Sequence, residues 1–142
     1  MEEKSVDEYW ALIGRRDYWA GEVSSLSVEA AILEERIAAL QSAIGGMHTQ
    51  EEILGSIASG VAQIPSACGL WQGARARENF MECTEGSLYG SCKGACDAAA
   101  ATILELEAAL RDSNTQFETV QASSREAESN FAFWEQKVVS YW

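Results

Sequence analysis

Residues 9–44 read YWALIGRRDYWAGEVSSLSVEAAILEERIAALQSAI. Within this stretch Tyr9, Leu12, Trp19, Val23, Leu26, Ala30, Leu33, Ile37, Leu40 and Ile44 recur at alternating steps of three and four residues, with Arg16 the one polar residue in the row. That rhythm puts a single apolar stripe along one side of an α-helix, the seam of a coiled-coil-like pairing. A helix of this kind rises about 1.5 Å per residue, so some forty residues extend roughly 60 Å. Gly14 and Gly21 weaken its beginning slightly.

Downstream, Gly45 and Gly46 predict a helix stop, because glycine takes the left-handed conformation that ends helices. Thr49 followed by Glu52 has the spacing of a capping box for a new helix. This predicts a short helix over about 50–63, with Ile53, Ile57, Val61 and Ile64 on one row. Pro65 disfavours helical geometry in the residue before it, so the helix is expected to end there. A turn over about 64–73 follows.

Beyond the turn the rhythm returns. Tyr89, Cys92, Cys96, Ala99, Ile103, Leu106, Leu110, Ser113, Phe117, Val120, Ser124, Ala127, Phe131, Trp134, Val138 and Tyr141 keep the same spacing. The predicted second long helix covers about 74–140. Gly86, Gly90 and Gly94 fall four residues apart, a stripe that would suit the close approach of another helix; a locally irregular segment is the alternative. The expected fold class is all-α: a single domain over 1–142, an elongated antiparallel helical hairpin. A lone hairpin covers little more than one seam, so a further helical chain is expected to complete a bundle.

Composition narrows the functions. The 142-residue chain carries a formal charge of −12, which repels nucleic acid and anionic membrane surfaces. No apolar run reaches the length of a membrane span. The opening MEEKSVDEYW is acidic and lacks the basic-then-apolar order of a secretory signal, so the protein is expected to begin in the cytoplasm. With one histidine, His48, no nucleophile–base set is readable, and no phosphate-binding glycine loop is present. No catalytic residue, cofactor or metal is therefore expected. The four cysteines, Cys68, Cys83, Cys92 and Cys96, read best as small apolar residues, with a disulfide to another segment as the alternative. The step between Cys92 and Cys96 differs from a zinc knuckle.

The aromatic residues are the candidates for recognition. Core packing explains them adequately. The sharper reading makes Trp10, Trp19, Phe80, Phe117 and Trp134 partner-binding residues, because large aromatics anchor protein interfaces.

Between the two seams lies LWQGARARENF, residues 70–80. Trp71 and Gly73, with Phe80 seven residues after the glycine, resemble the turn of the WXG-motif superfamily of bacterial type VII (ESX-type) secretion. The length and the succession of segments are most similar to the longer WXG-like partners encoded beside LXG-type toxins. The likeness covers most of the chain as a pattern and about ten residues as a motif. It implies binding to the helical N-terminal domain of an LXG-type toxin, or to another small WXG-like protein, and presentation to the secretion ATPase. It also implies a bacterial cytoplasmic location before export. The family's Y-x-x-x-D/E signal, found as F-x-x-x-D in toxin partners, would fall on Phe131 and Glu135, with glutamate in place of aspartate. Tyr18 and Glu22 have the Y-x-x-x-E form on the other helix. Secretion as a homodimer and a cytosolic coiled-coil scaffold unrelated to secretion are the alternative readings.

Overall fold

A computed structural model describes residues 3–67 and 88–142. Among them there are two helices, α1 from Val6 to Ala67 and α2 from Tyr89 to Val139, and no strand. The two helices pack against each other. The chain divides into two compact units. The first comprises Met1–Ala38 with Arg111–Trp142, and the second Ala39–Leu110.

In the first unit the helices are antiparallel. The Tyr141 hydroxyl meets Ser5 at 2.7 Å, Arg15 lies over the Trp134 ring at 4.7 Å, and Val23 to Glu34 share a groove with Phe117 to Glu128. Rising numbers on α1 thus meet falling numbers on α2. The predicted rows form the contact: Leu33, Ser113, Val120, Ala127 and Val138 are buried, and the other seam members are half-buried. Ser5 starts α1. Its Oγ accepts a hydrogen bond from the Asp7 N–H at 3.2 Å, and its carbonyl accepts from the Tyr9 N–H at 3.1 Å. This satisfies two backbone groups at the helix entrance.

In the second unit Val61, Ala99 and Ile103 are the buried apolar residues, with Leu40, Ile44, Met47, Leu54, Cys92, Cys96, Leu106 and Leu110 half-buried. Cys92 and Cys96 are free thiols. Tyr89 is the one member of the α2 row that is exposed.

Three expectations are corrected. First, α1 does not stop at Gly45 and Gly46, and the helices expected over about 3–44 and 50–63 are one. Neither glycine takes the left-handed conformation. The reason is phase: Met47, Glu51, Leu54, Ala58 and Val61 continue the rhythm of Ile44 without a skip, and all are buried or half-buried. Each glycine costs a helix about 1 kcal/mol against alanine, whereas burying a Leu- or Val-sized side chain contributes about 1.5–3 kcal/mol. The continuous seam therefore wins. Second, Ile53 and Ile57 leave the seam and are each 48% exposed. Thr49 caps nothing, since its hydroxyl donates to the Gly45 carbonyl at 3.1 Å, a bond made inside a running helix. The helix also passes Pro65, and its described part reaches Ala67. Third, the space a side chain would occupy at Gly90 or Gly94 is empty to 4 Å among the described residues, so none of these approaches closely there. Gly86, like the predicted turn residues Trp71 and Gly73, lies outside the described residues. So does the 74–87 portion of the second long helix.

Candidate functional site

The aromatic residues singled out from the sequence gather in the first unit. Trp10, Trp19, Phe117, Phe131 and Trp134 all belong to it, as does Glu135. Phe80 lies outside the described residues. Trp19, Phe117, Phe131 and Trp134 occupy seam positions and are half-buried. Each presents part of its ring to the neighbouring helix and part to solvent, because a two-helix seam has open flanks.

One open flank is a groove of about 370 Å³. Val23, Ser27, Ala30 and Glu34 line it from α1, and Phe117, Gln121, Ser124, Arg125 and Glu128 from α2. Its origin is readable in the side chains. Ala30 on α1 and Ser124 on α2 are both small and both line the groove, so the seam is under-filled there. Phe117 supplies the largest apolar surface in the groove, while Glu34, Arg125 and Glu128 supply charge at its edges. Such a groove suits the apolar row of a further helix, with polar contacts at the margins.

The ends of the helices carry a second aromatic group. The Tyr9 ring lies 5.6 Å from those of Tyr141 and Trp142, and 6.2 Å from Trp10. Trp10 is 60% exposed and Trp142 67%. Lys4 sits 5.6 Å from the centre of the Tyr141 ring. The Tyr141 hydroxyl donates to the Ser5 carbonyl and lies 3.0 Å from a Glu8 carboxylate oxygen. Partial burial first, then the hydrogen bond and negative charge of Glu8, hold this phenol above its usual pKa. The clasp joins the first turn of α1 to the end of α2. Its signal was present in the sequence as Ser5-Val6-Asp7-Glu8, the pattern of a capping box, yet nothing local indicates that Tyr141 returns to it.

Trp10 is therefore presented to solvent, as an interface anchor requires. Phe131 and Glu135 are one helical turn apart on α2, the phenylalanine half-buried in the seam and the glutamate exposed. Arg16, the polar interruption of the α1 row, is half-buried and pairs with Asp17 at 2.9 Å.

Among the described residues no group of His, Cys, Asp or Glu side chains could hold a metal ion, and no helix is long and apolar enough to cross a membrane. No family model matches the chain, and neither does any curated protein or solved structure.

Proposed function

We propose that the chain is a helical partner protein of the WXG-like kind, which binds the helical N-terminal domain of an LXG-type toxin and helps to present it for type VII export. The observation that carries this reading is the half-covered seam of the first unit. Trp19, Phe117, Phe131 and Trp134 are each half-buried within a two-helix contact. A partner helix laid in the Phe117 groove would remove the remaining apolar surface from water. Each Å² so covered contributes about 25 cal/mol before the entropy cost of association. The acidic charge of −12 favours a basic helical partner and gives no attraction to nucleic acid.

Within this reading Trp71 and Gly73 make the turn, Phe131 and Glu135 form the export signal, and the secretion ATPase receives the assembled bundle. The protein resides in the bacterial cytoplasm until export. Its work is association, with no catalytic step and no cofactor.

Co-expression with an LXG toxin N-terminal domain is the direct test. A complex that co-elutes on a sizing column, and that Phe117→Ala weakens, is the expected result. Separate elution of the two proteins at micromolar concentration would remove the basis of the proposal.

A further inference from the structure

Of the residues in the two apolar rows, only Arg16 and Glu51 carry a charge, and both are half-buried. Arg16 is compensated, because the carboxylate of its neighbour Asp17 lies 2.9 Å from the guanidinium. Glu51 is not compensated. Among the described residues the Arg16–Asp17 contact is the one ion pair.

The setting of Glu51 is apolar. It stands on α1 in the second unit, with Met47 before it in the row and Leu54 after it. The α2 row of that unit, Cys92, Cys96, Ala99, Ile103, Leu106 and Leu110, carries no charge. From residue 39 to residue 67, α1 has no Lys or Arg. His48, one turn before Glu51, is exposed and makes no ion pair with it. The charged residues that α2 adds to the unit are Lys93, Asp97, Glu105 and Glu107, and Lys93 makes no ion pair either.

A carboxylate in an apolar row costs little while one side of it faces water. Covering that side is costly, because a charge taken out of water needs a partner. Leu40, Ile44, Met47 and Leu54 along the same row are half-buried too, so any helix that covers them covers Glu51. Such a helix loses by meeting the carboxylate with a leucine and gains by meeting it with a cation. A single charged position in a row of paired helices selects its partner in this way.

We propose that the open flank of the second unit's seam docks a helix of a different protein, and that Glu51 selects one whose apolar row is interrupted by a single Lys or Arg. A second copy of this chain is a poorer match. Arg16 is the only cation in its rows and is held by Asp17, and every copy carries −12. The Phe117 groove belongs to the first unit, so this selection and the toxin reading stand or fall separately.

The test uses the full chain and three labelled synthetic helices with the same leucine row, differing at one central row position, which is Lys, Leu or Glu. Fluorescence anisotropy gives the order of affinity. The natural chain should bind the Lys helix about tenfold or more tighter than the Glu helix. Glu51→Lys should reverse that order, and Glu51→Leu should make the Leu helix the tightest of the three. Measured without any helix, Glu51→Leu should raise the thermal midpoint of the chain, since it completes the row. An unchanged order in Glu51→Lys overturns the proposal, as does failure of all three helices to bind. A fall in the midpoint of Glu51→Leu shows that a cation of the chain itself already serves Glu51, and overturns it too. A dimer in sedimentation that Glu51→Lys dissolves assigns the flank to a second copy and overturns the choice of partner.

Discussion

The two helices build one seam from different materials. On α1 the row through Leu12, Trp19, Leu26, Leu33, Leu40 and Leu54 is bulky, and of these only Leu33 is buried. On α2 the corresponding row includes Ala99, Ser113, Val120 and Ala127, and all four are buried. The small side chains on this row are covered by their larger neighbours, and Ile103 and Val138 on the same row are buried as well, whereas most of the bulky α1 residues stay half in water. The difference teaches where unspent apolar surface resides. It belongs chiefly to α1, which shows more of it again on its outer side at Tyr18, Val28 and Ile32. α2 also leaves apolar surface in water, at Leu104, Phe133 and Val139 and at the half-buried rings of Phe117, Phe131 and Trp134.

Substitutions in the two rows are the strongest way to break this contrast. Leu33→Ala should lower stability by about 2–5 kcal/mol, as truncation of a buried leucine does. On the facing row the damaging change runs the other way. Ala127 is 1% exposed, and Ala127→Leu should cost about 1–3 kcal/mol through overpacking. Chemical denaturation checks both. If Ala127→Leu proved neutral, α2 would not be the tightly covered helix described here.

A smaller effect of opposite sign is expected at Gly46. The residue lies within α1, has no left-handed backbone angle, and a side chain there would meet nothing within 4 Å. Gly46→Ala should therefore stabilise the protein, by about 1 kcal/mol. A rise in thermal midpoint is the confirming measurement. A fall would restore the helix stop that the glycine pair suggests locally.

The smallest effect belongs to the clasp between Tyr141, Ser5 and Glu8. Folding raises the phenol pKa of Tyr141. Its contribution is thus complete below the unfolded phenol value of about 10 and is lost as pH climbs through the higher folded value. Tyr141→Phe should remove that alkaline loss of stability while leaving the seam intact. Parallel pH profiles for the two proteins above pH 10 would show that the clasp has no energetic role.

Much of the hairpin was legible in the spacing of apolar residues. From Tyr9 to Ile44 and from Cys92 to Tyr141 every residue of the three-four rows is buried or half-buried, Arg16 and Ser113 included. At Gly45 and Gly46 a local stop signal is outweighed by a long-range apolar row. Ile53 and Ile57 looked like the next row because they are large and apolar, but Met47, Glu51 and Leu54 were the residues in phase with Ile44. Of the row assigned to the short helix, Val61 alone is also in that phase. At the candidate site, Trp19, Phe117 and Trp134 could be placed on the seam from spacing. That Ala30 and Ser124 open a groove beside Phe117 could not, because it depends on which residues of the two helices come opposite.

The sequence by itself determined that the chain is helical, that each helix carries one apolar row, and that the protein is strongly acidic. Those properties are periodic or additive along the chain, so no partner is needed to read them. Only the tertiary structure decided that the first row runs unbroken past its glycines, that small residues on α2 form the deepest part of the contact, and that Tyr141 closes on Ser5 and Glu8. Each of these depends on residues far apart in sequence being brought together. There the energy of covering a side chain from two sides outweighs the preference of any single residue.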